Sequence, residues 1–466
     1  MDNPIKDRMS PLEIRAALSL SSLFALRMLG LFLILPVFAV HAVTIPGGND
    51  LILVGLALGI YGLTQGVLQI PFGMASDRYG HKIVIVIGLV LFAIGSVVAA
   101  FADDIWVTIL GRAIQGAGAI SSAVVAFAAD LTRDQHRTKT MALIGGSIAL
   151  MFALSLVAAP AMYRVIGMSG IFIFIGALAV AAIFWTIYVV PAEPSALRDQ
   201  SRRVKASDLG EVLRNAELLR LNFGIFVLHM AQMSLFLVLP LALVEHAGMP
   251  VADHWMIYLP VVLVSFVLMV PPIMAAERRG KMKMMFIGAV SLLVVVHLGF
   301  ALAYRDFWMV VVLLTLFFVA FNVLEASLPS LVTKLAPVHA RGTAIGVYNT
   351  TQALGLFVGP WIGGWIAKNY GVAEVFVFGI VLFALWVVVA WPMRAPGDLE
   401  RRNFPLGKAA DPVALREGLA QLRGVRDVVV SPEEGIARLT FYRGMLDEQA
   451  VMKLVAGEAP LSPDNA

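Results

Sequence analysis

Apolar residues run along the chain in long blocks, and charged residues are confined to the short gaps between them. Twelve blocks reach the roughly 20 residues that an α-helix needs to cross a hydrocarbon layer. They lie near 17–43, 52–76, 83–101, 105–129, 141–163, 168–190, 219–243, 254–276, 284–303, 307–333, 343–367 and 372–393. The pattern predicts an all-α membrane protein of twelve spans. After Arg394 the pattern becomes that of a small α+β unit. Residues 412–422 fit a helix, Val425–Val430 a strand, 431–435 a tight turn, Ile436–Tyr442 a second strand and Leu446–Val455 a second helix. A sheet of two strands is marginal alone, so either residues near Asn403–Leu406 add a strand or the tail docks on something.

The blocks also repeat. GMASDRYGHK at 73–82 returns as IMAAERRGKM at 273–282, and LFLILP at 31–36 returns as LFLVLP at 235–240. Gly146, Leu154, Leu156 and Pro160 align with Gly346, Leu354, Leu356 and Pro360. A period this long is a whole multi-helix unit, so the expected architecture is two pseudo-symmetric six-helix halves. The divisions expected are a first half at 1–190, a linker at 191–218, a second half at 219–394 and a soluble tail at 395–466. Within the linker, 206–219 has apolar residues at helical spacing and predicts one amphipathic helix lying on the membrane surface.

Composition narrows the class. At 59% hydrophobic and 14% charged, the chain is far from the roughly 25% charge of a soluble globule. Its net charge of +4 reflects orientation in a bilayer and gives no reason to expect nucleic acid. With the amino terminus inside, the inner tails and turns up to Lys408 hold 24 Lys and Arg, and the outer turns hold three, Arg164, Arg305 and Lys368. That asymmetry places both termini in the cytoplasm. The absence of cysteine excludes disulfides and thiolate chemistry. No phosphate loop, HExxH pair or GxSxG elbow is present, so no ATP-driven or hydrolytic activity, cofactor or metal is expected.

An ionisable group inside a span needs a reason, because it costs a few kcal/mol to insert. Glu325 in the tenth span is the one acid well inside an apolar block, with Asn322 three positions before it on the same face. A cavity-facing, proton-titrating role is expected of Glu325, the alternative being an acid that snorkels to the interface. Arg27 stands in the middle of the first span. Arg112 and Gln115 share a face in the fourth, and His229 and Gln232 share one in the seventh. The two arginines are candidates to hold Glu325 or a substrate, and His229 is a second proton-coupling candidate that could equally be a neutral, hydrogen-bonded histidine. Tyr61, Gln65 and Gln69 recur every four residues in the second span, and Asn349 and Gln352 pair in the eleventh, as further cavity candidates. Gly355, Gly359 and Gly363, with Gly364 beside them, form a stripe of small residues that permits close helix packing, and Pro360 bends that helix.

The turn at 73–82 is similar to the signature turn between the second and third helices of the major facilitator superfamily: Gly73, three residues, Asp77, Arg78, one residue, Gly80, then two basic positions. RAIQGAGA at 112–119 resembles the pattern of its proton-coupled branch, and GLFVGPWIGG at 355–364 resembles its antiporter glycine-proline signature. The resemblance covers residues 12–394. It extends to drug-efflux members that carry a ferredoxin-like domain after the twelfth helix. One departure is His81, where the family usually has Arg. The resemblance implies that Gly73, Asp77, Arg78, Gly80, His81 and Lys82 latch the halves in the outward-open state. Asp77 would face the amino end of the eleventh helix, and Asp130 would bond position 81. It also implies a proton-coupled antiporter exporting lipophilic small molecules, acting as a monomer in the bilayer, with a tail that binds a ligand or dimerises. The competing readings are a proton symporter of a small metabolite and a sensor signalling through its tail; deleting the tail would silence only the sensor.

Overall fold

The computed structural model describes residues 9–193, 206–337, 340–393, 399–406, 412–431, 435–442 and 445–456. The first span comprises α1 (Pro11–Phe32) and α2 (Leu35–Ala42). A capping box opens it: the Ser10 hydroxyl accepts from the Glu13 N–H while the Glu13 carboxylate accepts from the Ser10 N–H. The same carboxylate receives the Arg133 guanidinium at 2.9 Å, which ties this end of α1 to the segment before α7. There follow α3 (Leu51–Tyr79), α4 (His81–Ala100), α5 (Ile105–Ala117), α6 (Ser121–Asp130) and the long α7 (Asp134–Tyr188). Gly118 separates α5 from α6, lying so close to the Gly88 carbonyl of α4 that a side chain would overlap it. Gly167, at φ 64°, bends α7 into two spans.

The second group begins after α8 (Ala206–Arg214) and comprises α9 (Ala216–Ala247), α10 (Trp255–Arg278), α11 (Met282–Ala303), α12 (Phe307–Leu335), α13 (Arg341–Asn369) and α14 (Val372–Ala390). Ten segments among the described residues are long and apolar enough to cross a membrane. One of them is the bent α7, which is two spans, and α13 adds another, so the twelve expected spans are present. The amphipathic helix expected over 206–219 is shorter than the pattern suggested. It stops at Arg214, because Asn215 leaves helical geometry and caps α9, its side chain accepting from the N–H groups of Glu217 and Leu218.

The two groups of helices meet closely at one end of the bundle. At the end away from the termini, Gly55, Gly59 and Gly62 of α3 lie against the backbone of Pro360, Phe357 and Ala353 in α13, and Gly364 lies against Leu51. Any side chain at Gly55 would collide with the Pro360 carbonyl. Two ion pairs join the groups there: Lys368 reaches Asp50 at 2.8 Å, and Arg164 reaches Asp253 at 3.7 Å. Asp50 also caps α3, its other oxygen accepting from Ile52 N–H. The Lys368 ammonium and that N–H hold its carboxyl below the usual carboxylate range. Toward the terminal end, Gly145 and Gly146 of α7 and Gly342 and Gly346 of α13 face open space. The bundle is closed at one end and open at the other.

The tail is an α+β unit of β1 (Leu399–Pro405), α15 (Pro412–Gln421), β2 (Val425–Ser431), β3 (Ile436–Tyr442) and α16 (Glu448–Ala456). Its sheet has the order β1-β3-β2 with both pairings antiparallel. Leu439 and Phe441 alternate on the face that packs with Leu419 and Val451 of the helices, and Phe404 of β1 joins them. Of the two alternatives left open for the tail, β1 is the strand added near Asn403. Arg402 fastens β1 to α16 through Glu448 at 2.6 Å.

Candidate functional site

Two buried polar clusters occupy the bundle, one in each group of helices. In the second group, three helices converge on His229. Glu325 of α12 approaches it, Oε2 to Nε2, at 3.9 Å, and Gln352 of α13 approaches the same nitrogen at 2.8 Å. The other ring nitrogen faces the Ile225 carbonyl at 3.2 Å, one turn back on α9. With Gln352 presenting its amide nitrogen, Nε2 accepts and Nδ1–H donates, so the arrangement describes a neutral imidazole. Glu325 keeps a quarter of its side-chain surface accessible, yet Oε2 is enclosed and has no hydrogen-bond partner. The Tyr348 hydroxyl, one turn before Gln352, is also enclosed and unpartnered, within electrostatic reach of Glu325. The Phe321 ring stands edge-on to His229 at 5.8 Å. A carboxylate here has an imidazole acceptor beside it and no cation, so charge on it is expensive.

In the first group the charges are positive. Arg27 of α1 and Arg112 of α5 are 2% and 0% exposed, and their guanidinium carbons lie 5.7 and 4.8 Å from the centre of the Tyr61 ring. Each uses Nη1 for one hydrogen bond, Arg27 to the Ser121 hydroxyl and Arg112 to Gln115 Oε1 at 2.7 Å. Gln115 passes the chain on to the Ser96 hydroxyl, which donates to the Phe92 carbonyl. On both arginines Nε and Nη2 are enclosed without a partner, as are the Tyr61 hydroxyl and Gln65 Oε1. A cation–π contact contributes about 0.5–2 kcal/mol. Inserting an arginine at mid-membrane costs about 2.5–3.5 kcal/mol on translocon scales. Tyr61 alone does not offset two such charges.

The expected pairing of an arginine with Glu325 is therefore corrected. Glu325 lies with His229 and Gln352, because the acid and the arginines sit on different groups of helices. Asn322, expected on the Glu325 face, donates instead to the Ser265 hydroxyl of α10 at 3.2 Å. The structure brings neither Gln232, buried on α9, nor Asn349, half-buried on α13, into either cluster. Gln69 is buried with its side-chain oxygen unpartnered, and its carbonyl accepts from Ser122. Along α13, Gly355 and Gly359 lie against Phe226 and Met230 of α9, and Gly363 lies against Ser234. The Ser234 hydroxyl donates to the Gly359 carbonyl at 2.7 Å.

At the turn between α3 and α4, Gly80 takes φ 100°, a region that only glycine enters readily. His81 bonds Ser76 through Nδ1 at 2.5 Å and Asp130 through Nε2 at 3.1 Å, and its ring stacks on Phe127. Arg78 lies over Tyr79. Lys82 donates to the Val190 carbonyl at 2.6 Å, because the end of α7 lies beside it. Asp77 is exposed and Gly73 faces Ser122, and among the described residues no bond joins Asp77 to the start of α13. The sequence reading missed several partners. Glu193 accepts from the Lys82 N–H that opens α4, Ser76 bonds His81, Ser265 bonds Asn322, and Ser121 and Tyr348 belong to the buried clusters. Tyr348 was findable, four residues before Gln352 on one face; the serines are too common in spans to signal anything.

Comparison with known proteins follows from this geometry. The family model described as Major Facilitator Superfamily matches residues 20–360 and 254–442. The chain is 45% identical over 430 residues to the Escherichia coli inner membrane transport protein YajR, covering 92% of this chain and 94% of that one. It is 27% identical over 379 residues to the multidrug resistance protein MdtH of Yersinia enterocolitica, covering 78% and 90%. Among solved structures, a bacterial homologue of the lysosomal transporter Spinster, inward-facing and occupied, superposes with a TM-score of 0.63 at 13% identity over 82% of this chain and 97% of that one. The human organic anion transporter MFSD10 superposes with 0.60 at 17% identity over 82% and 100%. These two likenesses concern the fold.

Proposed function

Because the chain belongs to the major facilitator superfamily, we propose that it is a proton-coupled antiporter, exporting lipophilic small molecules across the bacterial inner membrane by alternating access. The observation that carries this reading is the Glu325–His229–Gln352 cluster: a carboxylate with an enclosed, unpartnered oxygen beside a neutral histidine. A proton on Oε2 would remove the charge from that enclosed oxygen beside the neutral ring. The neutral acid tolerates closure of the cavity around it, whereas the carboxylate favours the conformation in which water reaches it. Proton occupancy thereby biases the two states.

The basic residues crowd the end of the bundle that carries the termini, so that open end faces the cytoplasm in this reading. Substrate enters there while Glu325 releases its proton, and the opposite end stays shut by α3 against α13 and the two ion pairs. In the alternate state the 73–82 turn is proposed to meet the start of α13 and latch the inner end, with His81 held by Asp130. A lipophilic cargo is suggested by the aromatic cluster where the halves meet, in which Phe152 of α7 touches Phe236, Phe318 and Phe321. The relative MdtH is named for multidrug resistance, which agrees with this cargo. The test is proteoliposomes with an imposed pH gradient and a panel of lipophilic drugs and small polar metabolites. Proton movement triggered by a lipophilic compound and absent in Glu325→Gln supports the reading. Unchanged pH-dependent export by Glu325→Gln sinks it.

A further inference from the structure

The proton reading uses the cluster in the second half and leaves the first half unexplained. On Arg27 and Arg112 alike, the unpartnered atoms are Nε and Nη2. These two form the side-on edge of a guanidinium, the fork that accepts two oxygens of one carboxylate in parallel hydrogen bonds. The opposite nitrogen, Nη1, is already engaged by Ser121 or Gln115 and fixes each group in place. Both guanidinium groups lie against the Tyr61 ring, whose own hydroxyl is unpartnered and able to donate to a third oxygen. Among the described residues of this half, the acids Glu13, Asp50, Asp77, Asp103, Asp104, Asp130 and Asp134 lie at helix ends or between helices, and Glu325 lies beside His229.

We propose that the unpartnered Nε and Nη2 edges of Arg27 and Arg112, together with the Tyr61 hydroxyl, form the binding site for an oxyanion headgroup carried by the transported molecule. The substrate class is then an amphipathic organic acid: a carboxylate, sulfonate or phosphonate on an apolar body. The headgroup neutralises the first half, and the apolar body lies along the aromatic cluster around Phe152. The substrate part of this inference rests on the transport reading, whereas the anion site stands on the arginines alone. A small inorganic oxyanion would satisfy the same forks as a stationary ion, and the experiment separates the two sources.

Equilibrium dialysis of the solubilised full-length chain with 1-naphthoate and with neutral 1-naphthamide measures the site directly, and sulfate is the inorganic competitor. The expected result is saturable naphthoate binding at least about tenfold tighter than naphthamide binding, the change equivalent to one charge-assisted hydrogen-bonded pair. Arg27→Gln and Arg112→Gln should each remove that preference without changing naphthamide binding. Arg112→Lys, which keeps the charge and loses the fork, should fall between. Sulfate competition on the unmodified chain tests the site without any variant. In proteoliposomes, naphthoate should cross and drive protons. If sulfate competes and naphthoate binds but does not cross while other solutes drive protons, the anion is stationary and the substrate class is overturned. If naphthoate is bound but no solute moves protons, the transport reading fails and the anion site survives. Equal binding of the acid and the amide, unaffected by sulfate and by both arginine variants, overturns the proposal.

Discussion

In the second half an acid is buried beside a neutral histidine and an amide, and in the first half two guanidinium groups lie against a tyrosine; among the described residues neither cluster is bonded to an opposite charge. Sequence duplication made the two halves similar in outline, but their buried charges differ in sign and in what they lack. One site lacks a proton or a cation, and the other lacks an anion. Had the acid and the arginines lain together, they would form a self-satisfied ion pair of the kind that merely holds helices. Kept apart, each is left to be completed by something that comes and goes. Two incomplete sites would serve the two moving species of the proposed exchanger.

The sharpest way to break this comparison is to remove the acid. Glu325→Gln keeps the shape and forbids ionisation, so proton-driven accumulation should be abolished, while solute exchange across vesicles without a pH gradient persists. Loss of both activities would mean that Glu325 serves the bundle's structure instead. Next in size is Arg112→Gln, for which affinity for an organic acid should fall about tenfold, with the pH dependence of the remaining transport unmoved. A shifted pH profile would show that the two sites are not separate.

His229→Gln should have a smaller effect, because it exchanges one neutral hydrogen-bonding side chain for another and displaces one hydrogen bond, about 0.5–1.5 kcal/mol. The expected change is a displaced pH optimum with solute affinity preserved, read from initial rates of counter-transport. Smallest is Lys368→Met. The Asp50 pair it breaks is partly exposed, so after solvent screening it contributes no more than about 1 kcal/mol to closure of the far end. Since Asp50 titrates below the usual carboxylate range, the closure it supports is present above that range. It is lost as pH falls through the lowered value. A spin label on one introduced cysteine near each end reports this, since the native chain contains none.

How far the sequence could be read follows the range of each interaction. Spans, halves and the turn at 73–82 depend on local pattern and repetition, and they were legible. Glu325 and His229 stood out because charge in hydrocarbon is rare. What joins them is not local: Gln352 reaches His229 from 123 positions away, and no spacing rule brings α9, α12 and α13 together. The convergence of Arg27 and Arg112 on Tyr61 is equally tertiary, so pairing either with Glu325 was a reasonable expectation that the arrangement of the helices overturned. The break at Gly167 falls between the fifth and sixth apolar blocks and was legible, whereas the one at Gly118 was not, because a span tolerates many glycines that bend nothing. In the tail, β1 carries three charged residues and little apolar pattern, which hid a strand whose partner is β3.

The most direct test of a division of labour between the halves is to count protons. In a lightly buffered solution of the solubilised chain, a transported solute is added to saturation and the proton release is followed with a pH indicator. Competition of proton and solute through one conformational equilibrium predicts release of about one proton per chain in the native protein. It predicts none in Glu325→Gln and an undiminished release in Arg112→Gln once the solute is raised to saturation. The same release from Glu325→Gln as from the native chain would contradict the account.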